Sequence, residues 1–168
     1  MKLSDILFEG MVMEPPEGSV VDISGNSRSF VVAIESPGKF RAHWIGYMNV
    51  HRGISVDEGV VWEVNDVNAK QGYGPLLYDI AMEMVFLKGD AGLMADRRSV
   101  SSDARKVWKT YFEERGDVGH EPLPADMFED TRLSERPEYL RYYYFKTSTS
   151  MIDSLKEQNK IESEDFEL

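Results

Sequence analysis

Val60-Val61-Trp62-Glu63-Val64, then Asn65-Asp66-Val67-Asn68, then Gln71-Gly72-Tyr73-Gly74-Pro75-Leu76-Leu77 form the stretch on which the fold turns. Branched and aromatic residues over 60–64 read as a strand, and the polar group 65–68 as the turn that closes it. Beyond the glycines the period changes. Pro75 suits the first turn of a helix, and Leu76, Leu77, Ile80, Ala81, Met84 and Leu87 recur at the spacing of one buried helical face. The order strand, glycine turn, helix leaves backbone N–H groups free at a helix start, with no Cβ at 72 or 74 to block approach. A pyrophosphate is the natural occupant of such a turn. A plain turn before a helix uses the same residues.

Upstream, Val20-Val21 and Ile23, a turn at Gly25-Asn26, and Phe30 to Ile34 read as a hairpin, and Phe40 to Val50 as a third strand of a meander ending in a loop around His51-Arg52-Gly53. Met1 to Gly18 begins with a short amphipathic piece and breaks at Pro15-Pro16, so it reads as an arm. Downstream, Gly89-Asp90-Ala91-Gly92 ends the helix and Leu93-Met94-Ala95 fits a short buried strand. Ser101 can cap a second helix whose face is Ala104, Val107, Trp108, Tyr111 and Phe112, with Gly116 as its stop. Residues 121–137, rich in proline and acids, read as loop, and Leu140 to Phe145 as a late strand. A short helix at Met151 to Gln158 and an acidic tail at 162–167 complete the chain. The expected class is α+β, with a mixed, mainly antiparallel sheet and two main helices. The expected organisation is an arm at 1–18, one domain at 19–147, and a C-terminal helix and tail at 148–168.

Composition narrows the function classes. The 168 residues suffice for one hydrophobic core. Nineteen Lys and Arg against thirty Asp and Glu give a net charge of −11, a field that repels nucleic-acid backbones and anionic lipid, so neither nucleic acid nor membrane is an expected partner. The same balance suits a cationic substrate such as an amine or a Lys side chain, and equally serves solubility alone. Without cysteine there is no disulfide, no thiolate zinc site and no Cys nucleophile. His43, His51 and His120 lack ligand spacing, so no metal site is expected. The N-terminus resembles neither a signal peptide nor a membrane span, and a cytoplasmic location, or a virion assembled in a cytoplasm, is the expectation.

Meander, strand, glycine loop, helix, short strand, second helix and late strand is the element order of the GNAT superfamily of acyl-CoA N-acyltransferases, which this chain resembles from about Val20 to Phe145. The likeness is sharpest from Val60 to Gly116. The family's phosphate loop, Arg/Gln-x-x-Gly-x-Gly/Ala, looks like Ala69-Lys70-Gln71-Gly72-Tyr73-Gly74, with Ala69 where the family has Arg or Gln and with Lys70 and Gln71 beside it. Short GNAT-like proteins of this kind also occur in bacteriophage genomes. The resemblance implies acetyl-CoA as co-substrate, held by Lys70, Gln71, Gly72, Tyr73 and Gly74, and an amine acceptor, possibly on a protein. It also implies a carbonyl donor among the backbone N–H groups near Val64 to Val67. The helix pair that walls the acceptor site in the family has no counterpart here. The alternative is a GNAT-like module without catalysis that binds a virion or host protein.

Direct transfer to an amine needs a base, a carbonyl donor and an acid for the leaving thiolate. By position on the resembling elements, Glu63 is the candidate base and Tyr111 the candidate acid. Each has a bland reading: Glu63 as a solvated strand carboxylate, Tyr111 as a core aromatic beside Val107 and Trp108. Tyr78 reads as packing. Arg97 and Arg98 fit cofactor phosphate or, by the commoner reading, pairing with surface acids. Tyr142, Tyr143 and Tyr144 read as a strand near the core rather than a base-stacking platform.

Overall fold

The computed structural model describes residues 14–37 and 43–163. The fold is mixed α/β, built on one open eight-stranded sheet that is mostly antiparallel. Strands β1 (Val20–Gly25), β2 (Ser29–Ser36), β3 (His43–Val56) and β4 (Gly59–Ala69) form an antiparallel meander. Helix α1 (Gly74–Leu87) then crosses to β5 (Gly92–Met94), which pairs parallel to β4. Helix α2 (Ser102–Glu113) leads to β6 (Gly119–Pro122). After an irregular stretch that includes the single turn α3 (Thr131–Ser134), β7 (Tyr142–Phe145) inserts between β5 and β6. Helix α4 (Ser150–Glu157) and β8 (Ile161–Ser163) return to the far edge, where β8 runs parallel to β1. The strand order is β6-β7-β5-β4-β3-β2-β1-β8.

Alternation along the strands separates two apolar faces. Val21, Ile23, Phe30, Val32, Ile34, Met48, Trp62, Val64, Leu93 and Tyr144 belong to the face covered by α1, α2 and α4. Val61, Met94 and Tyr143, each one residue out of step with a member of the first set, belong to the other face with Ala91 and Leu123. That second face is covered by the 123–137 segment, through Met127 and Phe128, rather than by long helices. The tyrosine run at 142–144 is thus a strand shared between two cores.

Several boundaries differ from the sequence reading. β3 does not stop at Val50 but runs to Val56, with a register shift between Arg52 and Ile54. Gly53 makes that possible: a Cβ there would lie 2.5 Å from Met94 Cε and 2.7 Å from Val61 O. β4 runs through the polar stretch 65–68 to Ala69, because its backbone pairs with Gly46 to Asn49 whatever the side chains are. Helix α1 is buried from Leu76 through Val85, not on one face alone. β6 and β8 are strands that the sequence pattern did not mark. Residues 1–13, most of the expected arm, and 164–168 of the acidic tail lie outside the described residues, while α4 and β8 join the same sheet and core as the rest. None of the described helices is long and apolar enough to cross a membrane.

Candidate functional site

β4 and β5 pair over only three positions, Val61↔Gly92, Trp62↔Leu93 and Glu63↔Met94. β4 then continues for six more residues, whereas β5 has ended. The register against β3 steps from Val50↔Val64 to Asn49↔Asp66, which makes Asn65 the extra residue of a β-bulge at this divergence. A bulge bends its strand and re-aims side chains, and bulges gather beside functional sites. The consequence is a notch beside β4 with backbone freed from ladder pairing on one side.

The glycine loop follows at once. Tyr73 N–H donates to Lys70 O at 3.1 Å, and Gly72 takes φ 91°, a left-handed conformation that favours glycine. Lys70 N–H donates to Ile45 O at 2.8 Å, which pins the loop to β3. Among the described residues the N–H groups of Gln71, Gly72 and Gly74 find no acceptor. α1 has no side-chain cap and no acid in its first turn, and a Cβ built on Gly74 meets nothing within 4 Å. Lys70, Gln71 and Gly72 are exposed and Tyr73 is half-buried. The loop therefore has the open space, free donors and absence of negative charge that a phosphate requires. Val64 is different: its side chain lies in the core, so only its backbone faces the notch.

Glu63 is neither solvated nor free. It is 3% exposed, on the same face as Val61, and Oε1 accepts the backbone N–H of Arg97 at 2.7 Å. Oε2 accepts Arg97 Nε at 2.9 Å and lies 2.8 Å from Nη2 and 3.5 Å from His51 Nε2. Arg98 bonds the bulge residue Asn65 through Nη2 and lies 3.6 Å from Asp96. The two arginines after β5 thus stitch the diverging strand ends together. A base at Glu63 would first have to give up Arg97, which corrects the expectation of a carboxylate poised for proton removal.

Tyr111 lies in the core, packed with Tyr78, Trp108 and Tyr144. Its hydroxyl donates to Asp79 Oδ1 at 2.7 Å and is 3.4 Å from Pro75 O, under the first turn of α1. Burial, and then the Asp79 charge, raise its pKa well above the ordinary phenol value. The candidate acid is thus a buried phenol that keeps its proton and donates it in a hydrogen bond to Asp79. Tyr78 is packing, as expected, with its pKa raised by burial.

Asp79 belongs to a buried network that the sequence reading does not mark. Arg115 Nη2 is 2.8 Å from Asp79 Oδ2, and Lys146 Nζ is 3.1 Å from both Asp79 Oδ2 and Glu83 Oε1. Glu83 also accepts the N–H groups of Met151 at 3.0 Å and Ile152 at 2.8 Å, so it caps α4 from another helix. The sign that was available is an i, i+4 pair of acids, Asp79 and Glu83, inside an otherwise apolar helix.

On the second face a cleft of about 1030 Å³ opens between β3 and β4, the 97–105 segment and the 130–137 segment. Glu63, Asn65 and His51 form its floor. Arg97, Arg98, Arg105, Arg132 and Arg136 line it, although sequence reading singled out only the first two. Their convergence depends on the 123–137 segment folding back over the sheet. No family model matches the chain, and no curated protein matches it. A solved structure described as the KacTA–DNA complex is similar at a TM-score of 0.47, with 14% sequence identity, covering 79% of this chain and 76% of that one.

Proposed function

We propose that this protein is an acetyl-CoA-dependent N-acetyltransferase of GNAT type, acting on an amine. The observation that carries the reading is the conjunction at the end of β4: parallel strands that part after Glu63↔Met94, a bulge at Asn65, and an uncapped, acid-free helix start behind Gly72 and Gly74. Gln71, Gly72 and Gly74 would hold the pyrophosphate on their N–H groups, with Lys70 beside them as a counter-charge. Acetyl-CoA supplies an activated acyl carbon on a thiol leaving group. The chain's own contribution is electrostatic and positional: backbone N–H groups of β4 beyond the bulge are available as carbonyl donors, and Arg97 and Arg98 fix the opposite wall. Proton transfer falls to neither Glu63 nor Tyr111 as they stand, since each is committed to a partner.

That double commitment favours a second reading, a GNAT-like binding module without catalysis, for instance one that attaches to a virion or host protein. Calorimetric titration with acetyl-CoA separates the two. Under the first reading wild type binds and Gly74→Glu does not, and because that position has open space the variant keeps its fold. Absence of binding at millimolar acetyl-CoA rejects the enzyme reading.

A further inference from the structure

We infer that the arginine-lined cleft is a binding site for a compact anion, a small molecule bearing phosphate or carboxylate groups. Five of the chain's ten arginines converge there, in a protein whose net charge is −11. The carboxylates that line the same cleft are Glu63, Asp130 and Glu135, and Glu63 is already buried under Arg97. Arg98 is likewise taken up by Asn65 and Asp96.

The other three guanidinium groups are held without an ion pair among the described residues. Arg136 donates from Nη1 to Asp96 O at 2.7 Å and from Nη2 to Arg97 O at 2.6 Å, so it is fixed in place by backbone carbonyls. Arg105 donates Nε to Val100 O at 3.3 Å, and Arg132 is exposed with no side-chain acceptor among the described residues. Among the described residues none of these three has a carboxylate within ion-pair distance. Burial lowers the pKa of Arg136; the charge of Asp96 opposes that shift, Arg105 adds to it, and Glu63 opposes it. Planar forks around a concavity suit the oxygens of phosphate or carboxylate, which can accept two N–H bonds from one fork.

The occupant is compact because the positive charge is local. A polyanion longer than the cleft would run onto a surface where acids outnumber bases, and its extra charges would be repelled. A purely cationic amine is repelled by the cleft itself. The inference stands without acetyl transfer; if that reading holds as well, the acceptor is an amine that also carries an anionic group.

The test measures thermal stability and calorimetric binding with inorganic phosphate and with citrate, against chloride at equal ionic strength. Wild type should be stabilised by one or both, and Arg105→Gln/Arg132→Gln should weaken binding about tenfold or more, the loss of charge-assisted bonds. Arg28→Gln, an exposed arginine elsewhere, should bind as wild type does. Equal effects of phosphate, citrate and chloride would overturn the inference, as would an equal loss in Arg28→Gln. Loss in Gly74→Glu with full binding kept in Arg105→Gln/Arg132→Gln would transfer the anion to the glycine loop and also overturn it. Binding of a single-stranded 20-mer tighter than either small anion would replace the compact ligand with nucleic acid.

Discussion

The carboxylate of Glu63 on β4 accepts both the backbone N–H and the side-chain Nε of Arg97, one residue pair closing the gap where β4 and β5 part. Because the bond to the backbone orders the chain after β5, Glu63 sets the position of the cleft wall. Glu63→Ala should therefore free residues 96–100 before it unfolds the sheet. Amide hydrogen exchange reads this directly: Arg97 N–H should be protected in wild type and exchange much faster in the variant, while Val61 and Trp62 should stay protected. Unchanged protection at Arg97 would show that the tie is not needed.

Glu83 illustrates a buried charge whose value depends on its partners. Removing one member of such a pair leaves the other uncompensated, at about 3–5 kcal/mol. Glu83→Gln should be destabilised on that scale in urea unfolding, since Lys146 is 5% exposed and keeps only Asp79. Glu83→Gln/Lys146→Met should lose less than the sum of its single changes, a positive coupling in a double-mutant cycle. Additive losses would mean that the two side chains do not share one network.

Tyr111 offers a stability readout and a catalytic one. Tyr111→Phe removes the hydroxyl that donates to Asp79 while Arg115 remains, so a cost of about 1–3 kcal/mol is expected. If acetyl transfer is measured, kcat in the variant should fall less than about tenfold, because general acid catalysis is worth about a hundredfold or more. A larger fall with unchanged KM would restore Tyr111 as the acid.

Alkaline titration follows from the buried phenols. Tyr78, Tyr111 and Tyr144 all have pKa values raised above the ordinary one, chiefly by burial. Their folded-state values exceed an unfolded value of about 10, so the stability they contribute is complete below that pH and is lost as pH rises beyond it. The phenolate absorbance of these three should thus rise only together with loss of tertiary structure. One smooth transition without unfolding would contradict the burial.

Two glycines should respond oppositely to alanine. At Gly74 the open space and helical position predict a gain of about 0.5–1 kcal/mol. At Gly92 the new Cβ would lie 2.5 Å from Tyr144 O, where β5 meets β7, and a loss of about 1–3 kcal/mol is expected. Melting temperatures of the two variants check both signs.

The sequence by itself determined the local elements wherever one residue pattern dominated. The 20–34 hairpin, the helix behind Pro75, the Ser101 cap, whose Oγ accepts Ala104 N–H at 3.2 Å, and the short strand at 93–95 follow from period, turn residues and capping chemistry. The glycine loop was legible for the same reason, since its backbone demands are local. Only the tertiary structure decided where charged side chains went. Glu63 reads as a solvated strand residue until Arg97 arrives from the segment after β5, and Asp79 and Glu83 find Arg115 and Lys146 only once the chain folds over them. The arginine cleft needs Arg132 and Arg136 brought back over the sheet by the 123–137 segment. Hydrophobic periodicity is written in neighbouring residues, whereas the pairing of charges depends on contacts tens of residues apart along the chain. Such contacts exist only after the sheet has formed.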